Sequence, residues 1–501
     1  MKKEPYIAPS IRRVAQGTAN PQRLGRVPVM DSIDGVPVAE LIRAHGSPLF
    51  VFSETNLRDK IREAREAFES VYPEVRFAWS YKTNYLNAIC RLFHQEGSIA
   101  EVVSGFEYEK ARRNGIPGDR IIFNGPWKDP ASLLTAVNEG AMIQVDNRDE
   151  MLELARIAEE RNTDLAVGLR IHVDTGTHAV WSKFGFSADD GEALRMIRWI
   201  RANTRLKIRG IHCHVGTFML DATAYVTAAE KVVELAVATE EAGAGIIEYL
   251  NLGGGFASHA RLHGQYLPPE QATPTFDAYA DAICGTIKRQ WPSGQKLPRL
   301  YLETGRALVD EAGYLVASVV AVKQRPMHGA SQALGAYGKG GIGPATALGA
   351  YGKGALLSSV GLRRNAVVLD AGINILYTST WYQPTIYPAS PSTSSAQPTT
   401  VYGCLCMNID VIREEASLPE LRAGDAVVMH PVGAYNITQS MQFITYRPAV
   451  VMIDPDCGVH VIRRREVLED VQGPEMAPPH LTGIDSALSP LRPGKCGQPD
   501  T

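Results

Sequence analysis

The sequence contains no run of about 18 apolar residues, the length that a membrane-spanning helix needs. Neither sign of charge dominates, because 51 Lys and Arg stand against 54 Asp and Glu and leave a net charge of −3. A nucleic-acid-binding protein would show a basic stripe, which this sequence lacks. Residues 1–5 are basic, yet the apolar segment of a secretory signal does not follow them. We therefore expect a cytoplasmic protein without membrane or nucleic-acid partners.

A disulfide framework is also missing. The seven cysteines are an odd number without regular spacing. Cys404 and Cys406 form a C-x-C pair, and no histidine pair at ligand spacing accompanies them, so no metal site is predicted there. Reduced thiols in the cytosol fit this pattern. With 501 residues, 45% hydrophobic and 21% charged, the chain has the composition of an ordinary globular protein with more than one domain.

Eight short apolar or β-branched runs follow one another at intervals long enough for one helix each. Alternating strands and helices indicate a parallel sheet, and eight such units over about 230 residues match an α/β fold of the (β/α)8 TIM-barrel type. An open doubly wound sheet is the alternative, because alternation does not by itself establish closure. The runs are Phe77–Lys82, Ile99–Ser104, Arg120–Gly125, Met142–Asn147, Ala166–Val173, Lys207–Gly216, Ile247–Gly255 and Leu300–Arg306.

Six further strand-like runs come after the barrel without intervening helices, which predicts a separate, mostly antiparallel β domain. We place the barrel at residues 49–307 and the β domain at residues 1–48 and 308–472. The opening segment is expected to supply an edge strand to the β domain, followed by a short helix, Val38–His45. The runs are Leu308–Lys323, Asn365–Asp370, Thr399–Met407, Ala426–His430, Phe443–Ile453 and Gly458–Ile462.

Three segments of the C-terminal half have the composition of irregular structure. Residues 388–398 form a Ser/Pro-rich loop, and residues 473–501 form a proline-rich tail that we expect to be flexible. Residues at about 328–358 form a glycine-rich insertion in which the letters ALGAYGKG occur twice. Two copies are too few for a solenoid, and no strand-loop-helix context supports a phosphate loop, so we interpret this segment as a surface insertion.

Several predicted barrel strands end on chemically useful residues, and active residues of such barrels lie at the C-terminal ends of the strands. Lys82 closes the first strand, and a lysine amine can form a Schiff base with a carbonyl when its environment lowers the pKa of the amine. A solvated surface charge is the alternative for a lone lysine. Gly253–Gly255 close the seventh strand, where bare backbone N–H groups can approach a phosphate, although a simple turn explains three glycines equally well.

Glu303 closes the eighth strand. A carboxylate at this rim would favour the protonated form of a pyridine nitrogen, and an ion pair with Arg306 is the alternative. His214 closes the sixth strand and could stack on a flat ring or be a satisfied core histidine. An amine, a glycine-rich backbone and a carboxylate at one rim together predict a pyridoxal phosphate (PLP) site.

These motifs resemble those of the fold-type III PLP-dependent decarboxylases, the family of diaminopimelate and ornithine decarboxylases. The resemblance covers roughly residues 27–465 and implies an alanine-racemase-like barrel with a C-terminal β domain. It implies that Lys82, in the letters YKTN, carries the cofactor, and that His214, in GIHCHVGT, covers the cofactor ring. The other cofactor contacts that it implies are Ser104, Thr217, Gly253, Gly254, Gly255, Glu303, Gly305, Arg306 and Tyr435.

The β domain extends the resemblance. Cys406 lies in the letters GCLCMNID, which resemble the segment whose cysteine reaches into the neighbouring subunit's site. The resemblance therefore implies a homodimer with shared active sites. It also implies catalytic roles for Lys82, Cys406 and His214, with Cys406 or Lys82 returning a proton to Cα after CO₂ has left. The substrate contacts that it implies are Arg306, Gln383, Tyr387, Met407 and Tyr435.

Two departures from the family pattern bear on the substrate. Met407 follows Cys406 where diaminopimelate decarboxylases have a glutamate that binds the distal amino group. Gln383 takes the place of an arginine that is expected to bind a carboxylate, while Tyr387 is retained. We therefore expect decarboxylation of an amino acid or amino-acid conjugate other than meso-diaminopimelate, with a neutral and larger distal end. Relatives of this kind serve siderophore and antibiotic biosynthesis, and the substrate could arrive on a carrier protein.

Two alternatives share this fold. An amino-acid racemase would need a second base opposite the lysine, and the decarboxylase-like segment around Cys406 argues against one. A regulatory relative that binds PLP without catalysis usually loses cofactor residues. Here Lys82, Glu303 and Tyr435 are all present.

A third alternative is a metal-dependent barrel hydrolase. His212 and His214 would share one face of a strand, with His172 or Asp174 as a further ligand. This interpretation leaves Lys82 and the glycine run unexplained, so we rank it last.

Overall fold

The computed structural model describes residues 27–326 and 363–481. The predicted insertion at about 328–358 and residues 482–501 of the predicted tail lie outside these ranges. No helix within the described ranges is long and apolar enough to cross a membrane. The strands are β1 (Ser32–Ile33), β2 (Val36–Pro37), β3 (Leu49–Ser53), β4 (Val75–Ser80), β5 (Ile99–Val102), β6 (Ile121–Phe123), β7 (Met142–Val145), β8 (Leu165–His172), β9 (Phe186–Ser187), β10 (Leu206–Cys213), β11 (Tyr249–Asn251), β12 (Arg299–Leu302), β13 (Gly313–Pro326), β14 (Arg363–Leu369), β15 (Thr385–Pro388), β16 (Gln397–Tyr402), β17 (Val411–Leu418), β18 (Ala426–His430), β19 (Ala449–Ile453) and β20 (Val459–Arg463). The α-helices are α1 (Val38–His45), α2 (Glu54–Glu69), α3 (Asn87–Gln95), α4 (Gly105–Arg113), α5 (Pro130–Asn138), α6 (Arg148–Glu160), α7 (Glu192–Asn203), α8 (Thr223–Glu241), α9 (Pro269–Ala272), α10 (Phe276–Gln290), α11 (Arg306–Val309) and α12 (Leu468–Gln472).

Eight parallel strands close into a barrel in the order β4-β5-β6-β7-β8-β10-β11-β12, with β12 pairing again with β4. The register of the closing pair places Tyr301 opposite Arg76. The predicted (β/α)8 barrel is confirmed. The open doubly wound sheet is wrong, because its two edge strands would leave backbone groups unpaired where this ring joins β12 to β4.

The helices around the barrel begin where the sequence supplies a cap. Asn147 caps α6 by accepting a hydrogen bond from the backbone N–H of Glu150, and Asp129 caps α5 in the same way through Ser132. These caps satisfy backbone N–H groups that the first helical turn leaves without partners. The buried faces of the helices then pack on the outside of the barrel and leave its C-terminal rim open.

The inside of the barrel is built in two layers. An apolar cluster fills the lower layer, with one residue from each of five strands. Two positions after each of these residues, toward the C-terminal end of the strand, the sequence has a polar residue. Because side chains of a strand repeat their direction every second residue, these polar residues point into the same interior one layer nearer the rim. The lower layer consists of Ala78, Ile99, Ile122, Tyr249 and Tyr301. The upper layer, which we call the polar layer, consists of Ser80, Glu101, Asn124, Asn251 and Glu303, all of them buried.

A second, mostly antiparallel sheet has the order β17-β16-β14-β13-β3-β19-β20, and β18 pairs with β13 and β15. Its strand β3, Leu49–Ser53, belongs to the stretch that the sequence assigned to the barrel. All five residues of β3 are buried, and the strand lies between β13 and β19. A strand that continues directly into a helix gives no sign in the sequence of which sheet it joins.

The opening segment does not supply the predicted edge strand. β1 and β2 pair only with each other, through a turn in which Asp34 and Gly35 have φ of 47° and 80°. Two consecutive positive φ values are typical of the tight hairpin turn that an Asp-Gly pair favours, so the segment folds back on itself. Helix α1 follows over Val38–His45 as predicted, and its buried Val38 packs with β3 and β19 of the second sheet.

Candidate active site

A cavity of about 750 Å³ opens at the C-terminal rim of the barrel. Its other wall comes from the β domain, through Thr378, Trp381, Tyr382 and Tyr435. The cavity brings together eight of the residues predicted for the site, from both the barrel and the β domain. These are Lys82, His214, Thr217, Gly255, Glu303, Gly305, Arg306 and Tyr435.

Lys82 lies in a short turn, Tyr81–Thr83, that directly follows β4. Its Nζ lies 3.0 Å from each carboxylate oxygen of Glu101. Burial lowers the pKa of Lys82, but the charges of Glu101, Tyr435 and Glu303 raise it by more, so the pKa lies above its ordinary value. Schiff-base formation was expected to require a lowered pKa of Lys82. The surrounding residues raise that pKa instead. They hold the amine as an ammonium.

Glu101 is fixed in turn by the polar layer. Its carboxylate accepts hydrogen bonds from Ser80 Oγ at 2.5 Å and from Asn124 Nδ2 at 3.0 Å. The same Asn124 nitrogen donates to Glu303 Oε1 at 2.7 Å. One amide therefore links the carboxylate beside the amine to the carboxylate of Glu303, which follows β12 on the other side of β4.

Glu303 is held as an anion at the centre of the polar layer. Asn251 Nδ2 donates to its Oε1 at 2.7 Å, and His212 Nε2 lies 3.5 Å from its Oε2. Burial would raise the pKa of Glu303, but His212, Lys82 and Asn124 hold that pKa well below its ordinary value. A buried carboxylate that stays ionised can pair with a protonated ring nitrogen.

His214 stands above this layer. Its Nδ1 accepts a hydrogen bond from the backbone N–H of Gly254 at 2.9 Å, and the ring of Trp181 meets it edge-on at 5.5 Å. Burial and the charge of Lys82 hold the pKa of His214 well below its ordinary value. The imidazole is therefore neutral, which suits a ring that stacks on a flat cofactor.

The glycine run divides between two tasks. Gly255 lines the cavity, whereas Gly253 and Gly254 lie beneath His214 and Glu303. A Cβ on Gly254 would lie 2.1 Å from the carbonyl oxygen of Glu303, and one on Gly253 would lie 2.5 Å from Nδ1 of His214. A Cβ on Gly255 would lie 2.3 Å from the carbonyl oxygen of Gly216, so all three glycines are required by close packing of the site itself.

Arg306 reaches the cavity from the start of α11. Its Nη1 pairs with Asp310 Oδ2 at 3.2 Å, and its guanidinium lies 4.2 Å from the ring centre of Tyr382 and 4.9 Å from that of Tyr435. Tyr435 has a φ of 65°, and its backbone N–H donates to the carbonyl of Thr83 at 2.8 Å. The β domain is thereby joined to the turn that carries Lys82.

Several predicted site residues do not line the cavity. Ser104 caps α4 by accepting from the backbone N–H of Glu107. Gln383 makes its side-chain hydrogen bond to His263 Nδ1 at 2.9 Å. Tyr387 lies in β15, half-buried within the second sheet.

The two residues expected to act across subunits also lie outside the cavity of their own chain. Cys406 is exposed, and Met407 packs partly against the core of the β domain. Gly253 and Gly254 support the site from below, as described. The predicted roles of all these residues stay predictions.

Most of the polar layer was not predicted from the sequence. Glu101, Asn251 and Ser80 were not singled out, and His212 entered only as a metal ligand. The metal alternative fails on geometry. His172 bonds the carbonyl of Phe184, and no group of three acidic, His or Cys side chains within residues 27–326 and 363–481 could hold a metal ion.

The site has the donors and the space that PLP requires. Arg306 and Thr83 line the cavity, and the buried Nε of Arg306 and the buried hydroxyl of Thr83 have no hydrogen-bond partner within the described part of the chain. Unpaired buried donors of this kind suit a phosphate, since they would otherwise cost free energy. The ionised Glu303 and the amine of Lys82 lie on the same cavity, whose volume is that of a typical cofactor site.

Comparison with known proteins supports the same assignment. The model of the pyridoxal-dependent decarboxylase family, pyridoxal binding domain, matches residues 58–310. Diaminopimelate decarboxylase of Actinosynnema pretiosum subsp. auranticum is 30% identical over 458 residues, which cover 88% of this chain and 91% of that protein. The enzyme of the same name from Methanocaldococcus jannaschii is 28% identical over 464 residues, covering 90% and 95%.

A solved structure agrees with these relatives. The crystal structure of diaminopimelate decarboxylase from M. jannaschii has a TM-score of 0.75 at 27% identity and covers 91% of this chain and 99% of that one. The alternatives without decarboxylation find no support among these relatives. The chain belongs to the pyridoxal-dependent decarboxylases, and it is an amino-acid decarboxylase with PLP as its cofactor.

Proposed function

We propose that the substrate is an amino acid whose distal end is not the charged end of meso-diaminopimelate. The observation that carries this proposal is the charge of the cavity wall. Among the described residues that line the cavity, Glu303 is the single acidic one, and it already accepts from Asn124 and Asn251. A distal ammonium would lose its water there without gaining a counter-charge, which is unfavourable.

The two departures from the family pattern point the same way. Gln383 is turned toward His263 and bears no charge. Met407 also bears no charge, and the nearby Asp410 is buried with both oxygens engaged by the backbone N–H groups of Ile373 and Leu405. The segment therefore offers no free carboxylate for a distal amine.

The roles of the residues follow from their places in the cavity. PLP, when bound, supplies the conjugated ring that takes up the electron pair left on Cα when the bond to the carboxylate breaks and CO₂ leaves. Glu303 would hold a proton on the pyridine nitrogen, and His214 would cover one ring face. Arg306 and Thr217 would bind the phosphate.

Lys82 would anchor the cofactor between turnovers. A proton must then reach Cα to give the amine product, and the ammonium of Lys82 is placed to hold one. The thiol of Cys406 from a second copy is the other donor that the family resemblance offers.

The exposed position of Cys406 favours a homodimer with shared sites, and a mixing experiment tests this. Lys82→Ala and Cys406→Ala each remove one contribution to a shared site. If the sites are shared, mixing the two variants should restore about a quarter of the wild-type activity, because half of the dimers are mixed and each has one intact site. Labelled chains verify that subunits have exchanged. If activity does not recover once exchange is verified, the shared site is contradicted.

The proposed reaction is tested with purified, PLP-loaded protein. Borohydride should fix a pyridoxyl label on Lys82, found by peptide mass spectrometry, and CO₂ should be released from candidate amino acids. We expect little release from meso-diaminopimelate. Turnover of that compound at the rate of a lysine-biosynthetic enzyme would overturn the proposal. An amino acid that racemises without CO₂ release would instead favour the racemase.

A further inference from the structure

A small apolar cluster separate from the main core forms one wall of the cavity. Its members are Phe218, Ala257, Ala260 and Tyr382, with Leu220 and Leu262 packed against them. Four of these side chains line the cavity, which we call the apolar wall. They are Phe218, Leu220, Leu262 and Tyr382. The Arg306 guanidinium lies 5.7 Å from the ring centre of Phe218 and 4.2 Å from that of Tyr382, so a group that rests on the wall lies next to a residue expected to contact both the cofactor and the substrate.

The apolar wall is held rigid by a link between the barrel and the β domain. Leu262 and Tyr382 form an isolated antiparallel bridge. The backbone N–H of His263 donates to the carbonyl of Trp381 at 2.9 Å, and the backbone N–H of Gln383 donates to the carbonyl of Arg261 at 2.7 Å. Gln383 also bonds the His263 side chain. The residue that takes the place of the family's arginine thus fastens the wall through its backbone and its side chain.

Phe218 takes an unusual backbone conformation to reach this wall. Its φ is 55°, in the left-handed region that bulky side chains rarely adopt. The ring packs on Tyr382 with 4.9 Å between ring centres, and the side chain is buried. A strained conformation that the surroundings maintain at an active site is a mark of function.

The charges near the wall decide what it can bind. Arg306 lies against Tyr382 and is paired with Asp310. Asp310 is itself engaged by Ser258 Oγ at 2.6 Å and faces away from the cavity lining. An ammonium on the wall would face the positive charge of Arg306, and Arg170 and Lys183 line the same cavity, whereas Glu303 is the single acidic residue among the described lining residues. An uncharged ring would instead bury apolar surface against Phe218 and Leu262.

From these observations we propose that the apolar wall is the specificity pocket for the distal end of the substrate. The substrate is then an α-amino acid whose side chain ends in an uncharged aromatic group. This inference rests on the proposed decarboxylation and names the substrate class of that same site.

The test compares matched substrates on the PLP-loaded protein. Racemic lysine and ornithine are assayed for CO₂ release beside their side-chain N-acetyl and N-benzoyl derivatives. We expect kcat/KM to be at least about tenfold higher for the benzoyl derivatives than for the free amino acids, mainly through KM. Equal or faster release from the free amino acids would overturn the specificity pocket and leave the decarboxylation standing. If no member of the panel releases CO₂ and borohydride labels nothing, the proposed function itself fails.

A variant at the strained position sharpens the test. Phe218→Gly removes the ring at a φ that glycine adopts readily, so the backbone should keep its course. We expect the preference for benzoyl over acetyl derivatives to fall at least about fivefold while the borohydride label on Lys82 is retained. Asn162→Gly is the matched control, because Asn162 also has a positive φ, of 50°, and lies outside the cavity lining. An unchanged preference in Phe218→Gly would exclude the wall as the pocket.

Discussion

Replacing Glu101 by Gln should lower the pH at which Lys82 captures PLP. Both oxygens of the Glu101 carboxylate lie 3.0 Å from Nζ of Lys82, and burial apart, its charge is the largest influence on the pKa of that amine. A neighbouring opposite charge shifts a pKa by about 1–3 units. The Lys82 side chain is 35% exposed, so water screens the pair and we expect the pKa of Lys82 to fall by less than it would for a fully buried pair.

The sign follows from the charge that is removed. Without the anion the ammonium is stabilised less, so the free amine that attacks the aldehyde is present at lower pH. The assay adds PLP to cofactor-free protein between about pH 6 and pH 10 and follows Schiff-base absorbance, with borohydride trapping as a second readout. The midpoint should move down in Glu101→Gln and return toward wild type in Glu101→Asp, which keeps the charge.

Glu107→Gln is the matched control for this experiment. Glu107 is a buried neighbour of Glu101, and burial followed by the Glu101 charge raises the pKa of its carboxyl to about 7. It accepts from the backbone N–H of Val103 and interacts with Lys82 only through the more distant charge, without a hydrogen bond, so its removal should move the midpoint much less than Glu101→Gln does. A midpoint in Glu101→Gln that stays fixed or rises would refute the role assigned to this carboxylate.

Three further outcomes are expected. Lys82→Ala should keep its circular dichroism but lose both the borohydride label and CO₂ release, and full activity in this variant would remove the basis of the PLP assignment. Gly254→Ala should lower the urea-measured free energy of unfolding by about 1–3 kcal/mol, because its Cβ would lie 2.1 Å from the Glu303 carbonyl, whereas Gly285→Ala within α10 should be tolerated. The pKa of Glu311 is held at about 2, since hydrogen bonds from His259 outweigh burial. A carboxyl whose pKa is lower in the folded than in the unfolded protein stabilises the fold at every pH above its unfolded pKa. This stabilisation is lost as the pH falls toward the folded pKa. Glu311→Gln should therefore cost roughly 2–3 kcal/mol at pH 7 and progressively less between about pH 4.5 and pH 2, checked by unfolding at several pH values.

The barrel could be predicted from the sequence because its signal is local. Each strand is a short apolar run with a helix-length interval behind it, and these intervals hold helices such as α6, Arg148–Glu160. The β domain was less accessible because its pairings join distant segments. β3 pairs with β13, which lies more than 250 residues later in the chain. β15 and β17 were not predicted from the sequence.

Only part of the candidate site could be predicted from the sequence, for a related reason. Lys82, Glu303 and the glycines stand at strand ends, where the rule for barrels directs attention. Glu101 lies within a strand, in the letters IAEV. The alternation of side chains along this strand could have predicted that Glu101 points into the barrel. A glutamate two positions after an inward apolar residue shares its direction. The contacts between Arg306 and Tyr382 could not be foreseen, because no local pattern places α11 against a turn more than 70 residues away.

The residues that would control the cofactor and the residues proposed to select the substrate lie on different parts of the molecule. The carboxylates and amides that would control the cofactor belong to the polar layer, which is fixed by the pleat of neighbouring strands. Changing one of them disturbs hydrogen bonds that reach across the barrel, since Asn124 alone touches both Glu101 and Glu303. The apolar wall instead belongs to loops that join the barrel to the β domain at Leu262 and Tyr382. Loops tolerate substitution better than paired strands. The proposed specificity pocket therefore predicts that substitutions at Phe218 change the choice of substrate, whereas substitutions in the polar layer change the chemistry at Lys82.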